Sequence, residues 1–517
     1  MTFNASVMLR ETAAEHPEKK CVVLGQRSWT YQEVDQAADL VSTNLQAVGL
    51  APGTKIGLQL PNLPQFLSAY FGLARAGYVM VPLNPLLTAR ETTFMLGNSD
   101  CELLITTDAV AAEAVKAVQQ IGDIPVYVVE TGSAERPEGT RSFTELLAPR
   151  PVADMASTQA DDTAVIVFTS GTTGTPKGAE LSHFGIYMNS TVSTERIELN
   201  PDDTTLAMLP FFHVYGLTSV LNVCVHNGVT MVLLPRFDPA AALDLVEAHR
   251  VVRFSAVPSM LIGMVDAGTS GRDLSSVERV ISGGSALSGE ALRRFEAAFP
   301  SATVLEGYGL SESTSSVAVN ISREERKPLS IGKPLWGSEC RVVSEAGEVL
   351  PPGKENVGEL TFQGPTIMKG YHKNPEATQE SLRDGWLYTG DMGYMDEDGF
   401  LFVVDRKKEL IIRNGFNVFP REVEEVIATH PDVVEVAVVG TPDPQLGQEV
   451  VAVVSLRDGA SATAEDIIEH ARRSLAAYKY PREVHITGEL PKSAAGKIRK
   501  KDLAQDLVAG ADRQGQR

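Results

Sequence analysis

Hydrophobic positions along the N-terminal part of the chain follow two alternating spacings. Short apolar runs at 55–60, 79–83 and 164–168 have the length of buried strands and are bounded by polar residues. Between such runs, apolar residues recur every three or four positions, and Thr30 with Glu33 has the sequence of a capping box at the start of one such segment. Strands that alternate with helices in this way predict largely parallel sheets with helices on their faces.

The same alternation resumes after residue 200 and continues to about residue 305. It predicts strands at 205–209, 231–234, 254–257, 280–281 and 303–305, and helices at 239–250 and 289–298. The N-terminal part of the chain therefore predicts a large α/β body.

The pattern changes near residue 335 to short apolar runs separated by Gly, Pro and Asp, as in 344–353 and 395–403. This texture is typical of a small β-rich subdomain. The charged break 405–408 follows, and after it the pattern predicts a compact α+β unit of ordinary domain size. The predicted elements of that unit are helices at 420–429 and 464–475 and strands at 435–439, 450–456 and 483–486. The polar residues 504–517 are predicted to fray.

Composition and charge narrow the classes of function. With 517 residues, of which 43% are hydrophobic, the chain is long enough to form several cores. A net charge of −20 without a long basic tract argues against a nucleic-acid partner. No apolar run approaches the roughly 18 residues of a membrane span, and residues 1–20 lack the apolar core of a signal peptide. Dispersed cysteines indicate reduced thiols and a cytoplasmic protein. They are Cys21, Cys101, Cys224 and Cys340.

Residues 168–178, FTSGTTGTPKG, have the composition needed to wrap a polyphosphate. Glycines let the backbone approach closely, hydroxyls and amides donate to phosphate oxygens, and Lys177 supplies positive charge. Pro176 before the lysine and Gly178 after it distinguish this segment from the P-loop pattern GxxxxGK[ST]. A solvated turn that carries one lysine is the simpler alternative.

Five stretches in a fixed order make the phosphate interpretation specific. They are FTSGTTGTPKG, EGYGLSES (306–313), YTGD (388–391), DRKKELI (405–411) and PKSAAGKIRK (491–500). In this order they resemble the signature stretches of the adenylate-forming superfamily, which includes acyl- and aryl-CoA synthetases, beetle luciferases and the adenylation domains of peptide synthetases. The resemblance extends over essentially the whole chain, from about residue 10 to residue 503.

The resemblance implies a division of the chain into two domains. A large multi-sheet α/β adenylation domain occupies residues 1–405, and a small mobile α+β domain occupies residues 409–503. The hinge is 406–408, where Lys408 matches the family's hinge position. Hinge rotation there moves the C-terminal domain between two arrangements.

The resemblance also implies an ATP-dependent acid–thiol ligase. A carboxylate, fatty or aryl, attacks the α-phosphorus of ATP and expels pyrophosphate, and the acyl group of the acyl-AMP then passes to the thiol of coenzyme A. Positioning and charge neutralisation do most of the catalysis in such a displacement. The implied cofactors are ATP, Mg²⁺ and coenzyme A.

Three alternatives remain open at the level of sequence. The acceptor is a carrier-protein phosphopantetheine instead of coenzyme A, or the acid is an amino acid, or the chain is an inactive nucleotide-binding homologue. Asp238 keeps the amino-acid alternative open, although Asp238 before Pro239 also has the sequence of a helix N-cap.

By resemblance, the phosphate loop holds the β- and γ-phosphates of ATP. Its implied contact residues are Thr169, Ser170, Gly171, Thr172, Thr173, Gly174 and Lys177. Tyr308 is implied to stack on adenine near Ser285, and Glu312 to bind the Mg²⁺ that bridges the phosphates. Asp391 and Arg406 are implied to take the ribose hydroxyls. The local alternatives are a core aromatic at Tyr308, a helix-start acid at Glu312 and a turn-capping aspartate at Asp391.

The remaining implied site residues concern the acid and the thiol. Lys497 is implied to reach the substrate carboxylate and the α-phosphate, although it stands among other basic residues as a solvated lysine would. His213 and Gly307 are implied to line the acid pocket, and simple packing is the alternative for the histidine. Gly415 is implied to line the approach of the thiol. The implied catalytic set is Lys497, Glu312 and Lys177.

Overall fold

The structure is a computed structural model. It describes residues 3–122, 124–169, 176–197, 199–414, 416–457, 459–492 and 498–514, with the side chains of 195–197 and 509–514 outside the description. Within these ranges the strands form an eight-stranded sheet A, a nine-stranded sheet B and two five-stranded sheets, C and D. Sheets A and B together with their helices contain the largest hydrophobic core.

Sheet A has parallel strands followed by an antiparallel edge. In spatial order its strands are Arg141–Ser142, Val126–Val129, Cys101–Thr107, Lys55–Gln59, Val79–Pro82, Thr163–Thr169, Lys177–Ser182 and Gly370–Tyr371. The last two are antiparallel to their neighbours, and the others pair in parallel.

Sheet B has the same character, with a parallel centre and antiparallel edges. In spatial order its strands are Arg27–Thr30, Lys20–Leu24, Thr230–Leu233, Thr204–Ala207, Arg253–Ala256, Arg279–Ser282, Thr303–Leu310, Ser315–Val319 and Lys333–Pro334. The predicted α/β class with largely parallel sheets is confirmed.

Helices connect the strands of both sheets. The α-helices are Val7–Glu15, Tyr31–Gln46, Pro64–Arg75, Ala89–Asn98, Asp108–Ile121, His183–Ile197, Val214–Gly216, Val223–His226, Pro239–Ala248, Pro258–Asp266, Gly289–Ala298, Pro375–Ser381, Pro420–Ile427, Ala464–Ser474 and Lys500–Gln514. Phe143–Leu147 and Ser311–Ser313 are 3₁₀-helices, and Leu217–Asn222 is a π-helix. The predicted capping box is confirmed, since Thr30 Oγ1 accepts from Glu33 N and the Glu33 carboxylate accepts from Thr30 N. In the described residues no helix is both long enough and apolar enough to cross a bilayer.

A buried ion cluster lies between the first helices. The guanidinium of Arg75, whose side chain is 1% exposed, pairs with Asp35 and, at 2.8 Å, with Asp39. Arg10 pairs with the same two carboxylates from the solvent side. A buried cation with two carboxylates is stable only while every member keeps a partner.

Sheets C and D follow in the C-terminal part of the chain. Sheet C contains Glu339–Val343, Gly358–Gln363, Leu382–Arg383, Trp386–Met395 and Leu401–Arg406. Sheet D contains Ile411–Arg413, Phe416–Val418, Val433–Asp443, Gly447–Leu456 and Glu483–Thr487. The predicted β-rich region after residue 335 is therefore confirmed as sheet C.

Arg421 connects sheet D's first helix to the last strand of sheet C. Its backbone N–H donates to Asp405 Oδ2 at 2.9 Å, and its guanidinium donates to Val403 O at 2.6 Å. These contacts join residues on the two sides of the predicted boundary at 405–408.

The prediction that residues 504–517 fray is wrong up to residue 514. The helix Lys500–Gln514 occupies this part of the chain. Leu503 and Leu507 lie one helical turn apart and pack in a cluster with Leu490, and this apolar contact stabilises the helix.

Candidate active site

The predicted site residues of the N-terminal domain gather where parallel strands end. The strand Thr163–Thr169 ends at Thr169 in sheet A. In sheet B, Gly307 and Tyr308 follow the parallel part of the strand Thr303–Leu310, and Ser285 is exposed just after Arg279–Ser282. Ligands of open α/β sheets bind beyond the carboxyl ends of the strands.

The ends of the predicted phosphate loop are held together by strand pairing. Thr169 lies opposite Lys177 in an antiparallel ladder, and its hydroxyl donates to Lys177 O at 3.4 Å. Lys177 is half-buried at the start of a strand, with Nζ 5.2 Å from the centroid of the Tyr371 ring. Lys177 therefore lies in a strand beside an aromatic ring and not in a turn. Ser170, Gly171, Thr172, Thr173 and Gly174 lie outside the described residues.

Glu312 lies in the short helical turn Ser311–Ser313, directly after the strand Thr303–Leu310 of sheet B. Its Oε1 accepts a hydrogen bond from the Tyr371 hydroxyl at 2.7 Å, and its backbone carbonyl accepts from Met368 N at 2.8 Å. Burial and the adjacent Glu312 carboxylate raise the pKa of the Tyr371 hydroxyl, so tyrosine remains the donor. The carboxylate of Glu312 is thus fixed by tertiary contacts.

Asp391 is the centre of a second group of contacts. It lies within the strand Trp386–Met395, opposite Arg406, and its side chain is 5% exposed. Its Oδ2 accepts from the Tyr308 hydroxyl at 2.5 Å, and its Oδ1 lies 3.2 Å from Arg406 Nε. The turn-capping alternative for Asp391 is wrong, because the strand continues on both sides of it.

The ring of Tyr308 packs on Phe362, with centroids 5.8 Å apart. Burial and the neighbouring Asp391 raise the pKa of the Tyr308 hydroxyl, which therefore stays protonated. The side chain of Tyr308 therefore contacts both a core aromatic residue, Phe362, and a carboxylate of the site, Asp391.

Arg406 belongs to the group of contacts around Asp391. The carboxylate of Asp391, foremost, and more weakly that of Glu312 raise the pKa of the Arg406 guanidinium. Lys177, Tyr371 and Glu312 form one group of contacts, and Asp391 and Arg406 form the other. We call the two groups together the charged surface. It draws residues from sheets A, B and C.

His213 is joined to the surroundings of Gly307 through Tyr215. His213 caps a helical turn, since its Nδ1 accepts from Tyr215 N at 3.2 Å. Tyr215 in turn donates from its hydroxyl to Ile281 O at 3.0 Å. A Cβ at Gly283 would lie 3.1 Å from the Tyr215 ring and 3.3 Å from Gly307 O, so the backbone and the aromatic ring approach closely here.

Two acids outside the charged surface have local explanations. Glu306 accepts from Leu329 N at 2.6 Å, and burial raises the pKa of its carboxyl to about 7. Asp238 accepts from Ala241 N at 2.8 Å as the N-cap of the helix Pro239–Ala248. The cap accounts for Asp238 and removes the observation that kept an amino-acid substrate open.

Lys497 and Gly415 lie outside the described residues. Lys500, at the end of the PKSAAGKIRK stretch, is half-buried and pairs with Glu409 at 3.1 Å and with Glu424 at 2.7 Å. Lys408 is exposed in the turn between sheets C and D. The end of the PKSAAGKIRK stretch is thus tied to the chain that follows Lys408.

The acidic side chains of the site determine whether it can bind a metal ion. The described ranges contain no group of three or more His, Cys, Asp or Glu side chains that could hold a metal. Mg²⁺ keeps several waters and is usually bound by one or two carboxylates together with substrate phosphates. A single oriented carboxylate, Glu312, fits that donor set.

Comparison with known proteins decides the family. Residues 9–372 match the AMP-binding enzyme family, and residues 422–497 match the AMP-binding enzyme C-terminal domain. The chain belongs to the AMP-binding enzyme family. The resemblance inferred from the five signature stretches is therefore confirmed.

Relatives of this AMP-binding enzyme match it over nearly its whole length. It is 34% identical to the long-chain-fatty-acid–CoA ligase of Bacillus subtilis (strain 168), over 96% of this chain and 94% of the relative. The ATP-bound structure of MatB from Rhodopseudomonas palustris is 30% identical with a TM-score of 0.90, over 98% and 99% of the two chains. The anthranilate CoA ligase AuaEII in complex with anthranoyl-AMP is 25% identical with a TM-score of 0.92, over 99% and 98%.

Sequence reasoning missed Tyr371 and Phe362 in this AMP-binding enzyme. Tyr371 touches two predicted site residues that are far from it in the chain, and Phe362 packs on Tyr308. The only local signal for Tyr371 was its place in a short KGYHK stretch between two predicted elements. Nothing in that stretch indicates what the ring or the hydroxyl contacts.

Proposed function

We propose that this AMP-binding enzyme is an ATP-dependent acid–CoA ligase. The carboxylate of a fatty or aryl acid attacks the α-phosphorus of ATP, and the bond to the pyrophosphate oxygen breaks. The thiol of coenzyme A loses its proton to solvent and attacks the acyl carbon, and AMP leaves with the electrons of the acyl–phosphate bond. The relatives named as fatty-acid and anthranilate CoA ligases support both acid classes.

The charged surface is the observation that carries this proposal. Lys177 and Glu312 are brought together by Tyr371, and Asp391 forms an ion pair with Arg406. Metal-bound ATP needs such alternation of charge, because its phosphates are anionic while its metal ion and ribose hydroxyls seek oxygen acceptors.

We assign roles to these residues in the first half-reaction. Lys177, with the loop residues 169–174, binds the β- and γ-phosphates, and Asp391 with Arg406 binds the ribose hydroxyls. Tyr308, beside Ser285, packs against adenine. Glu312 holds Mg²⁺, which when bound neutralises charge on the phosphates.

The acid and the second half-reaction involve other residues. His213 and Gly307 line the acid pocket, and Lys497 neutralises charge on the carboxylate and the α-phosphate. Rotation about the hinge 406–408, centred on Lys408, then withdraws Lys497 and brings Gly415 to the thiol channel. In this proposal residues 1–405 are the adenylation domain and residues 409–503 are the moving domain.

The test is an acid panel with the full-length enzyme. Fatty and aryl acids are incubated with ATP, Mg²⁺ and coenzyme A, and AMP and acyl-CoA are quantified. We expect AMP to form with at least one acid class and to depend on that acid. Absence of AMP with every carboxylate refutes the proposal. If acyl-AMP is turned over with a phosphopantetheinylated carrier protein but not with coenzyme A, the carrier protein replaces coenzyme A as the acceptor, and the adenylation step of the proposal stands.

We also propose that the reaction takes place in the cytoplasm. Both ATP and coenzyme A are cytoplasmic metabolites, and the cysteines are free thiols, three of them buried. Free thiols without disulfides are typical of a reducing compartment. Fractionation of cells that express the protein at its natural level tests this location.

A further inference from the structure

Tyr371 contacts both charged side chains that the proposed function assigns to the phosphates and their metal ion. Its hydroxyl donates to Glu312 Oε1 at 2.7 Å, and the centroid of its ring lies 5.2 Å from Lys177 Nζ. Lys177 begins the second strand from one edge of sheet A, while Glu312 follows the strand Thr303–Leu310 of sheet B. One aromatic side chain therefore joins the two sheets at the candidate site.

The backbone around Tyr371 holds the side chain in this place. Tyr371 pairs with Ala179 across from it in sheet A, and His372 N donates to Gly178 O at 2.7 Å. On the other side, Met368 N donates to Glu312 O at 2.8 Å. The segment 368–372 is thus hydrogen-bonded both to the strand that carries Lys177 and to the turn that carries Glu312.

The chemistry of the side chain suits both contacts. The phenol hydroxyl of tyrosine, with an ordinary pKa of about 10, is protonated at neutral pH and donates to the carboxylate. A carboxylate that has one oxygen fixed by a donor presents its other oxygen in a defined direction. The ring face attracts the ammonium of Lys177 through a cation–π interaction and leaves its charge intact.

We propose that Tyr371 is a positioning residue of the nucleotide site, which orients Glu312 through its hydroxyl and Lys177 through its ring. The inference rests on the proposed function, because both neighbours act on metal-bound ATP there. Hydrogen-bond partners of metal-binding carboxylates typically contribute about 10- to 100-fold to metal affinity or activity. Tyr371 acts through its neighbours by this route.

Two substitutions separate the two contacts. Tyr371→Phe removes only the hydroxyl, and Tyr371→Leu removes the hydroxyl and the aromatic face. Binding of Mn²⁺ together with α,β-methylene-ATP is followed by electron paramagnetic resonance on the full-length protein, which needs no turnover. We expect Tyr371→Phe to weaken Mn²⁺ binding by about 10-fold and to leave metal-free nucleotide binding unchanged. We expect Tyr371→Leu to weaken both.

Tyr127→Phe is the matched control. Tyr127 is also buried, at 3% exposure, and its hydroxyl accepts from Arg141 in sheet A, away from the charged surface. We expect this variant to bind Mn²⁺ and nucleotide as the parent does. Thermal melts of all variants verify that each is folded under the conditions of the binding measurement.

A double-variant cycle tests the route of action. In a Glu312→Gln background, Tyr371→Phe should weaken Mn²⁺ binding by no more than about twofold, because the carboxylate it orients is gone. Equal losses in the two backgrounds, or parental binding by Tyr371→Phe alone, overturn the inference. Parental Mn²⁺ binding by Glu312→Gln alone instead overturns the metal assignment in the proposed function.

Discussion

Replacing Asp391 with asparagine tests the ribose assignment with little change of shape. The side chain keeps one oxygen acceptor for the Tyr308 hydroxyl, which now donates to a neutral group instead of a charged one. The ion pair with Arg406 is lost, but the Arg406 side chain is 52% exposed, so that pair contributes no more than about 1 kcal/mol. We therefore expect Asp391→Asn to reduce the free energy of unfolding by only about 1–3 kcal/mol.

The expected effect on ATP is larger. A carboxylate can accept about four hydrogen bonds. After it accepts from Tyr308 and Arg406, Asp391 can therefore still accept from two ribose hydroxyls. Each charge-assisted bond contributes about 1.5–3 kcal/mol against about 1 for a neutral one, and the amide also offers fewer acceptor positions. A loss of about 3 kcal/mol predicts a roughly 100-fold lower kcat/KM for ATP.

Deoxynucleotides make this measurement specific. Initial rates are measured with ATP, 2′-deoxy-ATP and 3′-deoxy-ATP, and the parent should lose activity on each deoxynucleotide. In Asp391→Asn, kcat/KM for each deoxynucleotide should be only slightly lower than kcat/KM for ATP. If removal of either hydroxyl lowers kcat/KM by the same factor in the parent and in the variant, Asp391 does not contact the ribose. Asp396→Asn is the control, since Asp396 follows the same strand but pairs with Lys327.

Three further predictions concern charge at the site and in the core. Lys177→Ala should raise the ATP and pyrophosphate concentrations needed for turnover and leave thiol transfer from preformed acyl-AMP intact; equal losses in both half-reactions would contradict the loop assignment. Arg75→Ala should cost about 3–5 kcal/mol of unfolding free energy, because it leaves Asp35 and Asp39 without their buried partner. A loss below about 1 kcal/mol in urea titrations would refute this. Burial raises the pKa of Glu306 from 4.5 to about 7, so the folded protein binds this proton more tightly and the free energy of unfolding falls as pH rises through that window. Glu306→Gln should lack the decrease and be more stable than the parent by up to about 3 kcal/mol at pH 8, whereas parallel pH profiles would contradict the reasoning.

The parts of the fold that the sequence predicts are those set by local physics. The strand around 164–168 and the helix capped by Thr30 depend on burial period and cap chemistry, and both occur where predicted. Asp238 likewise caps the helix that begins at Pro239. The order of five signature stretches then indicated the family, and with it the set of candidate residues.

Contacts between distant parts of the chain were not predictable in the same way. Asp391 has turn residues around it, yet pairing with the strand Leu401–Arg406 makes its segment a strand. Tyr371 is separated from Glu312 by 59 positions, and no local pattern indicates that pair. The helix after residue 500 could have been found, since Leu503 and Leu507 have helical spacing within a polar segment.

The contacts of Arg421 with Val403 O and Asp405 affect how the chain can be recombined with its relatives. A hybrid protein joined between sheets C and D would take Val403 and Asp405 from one parent and Arg421 from the other. The acceptor oxygens and the donor groups of these contacts would then come from different proteins. A parent that lacks either group would leave buried polar atoms unpaired at the junction, at a cost of about 1–3 kcal/mol for each. Domain exchange in this family should therefore succeed more often when Asp405 and Arg421 come from the same parent or are matched by hand.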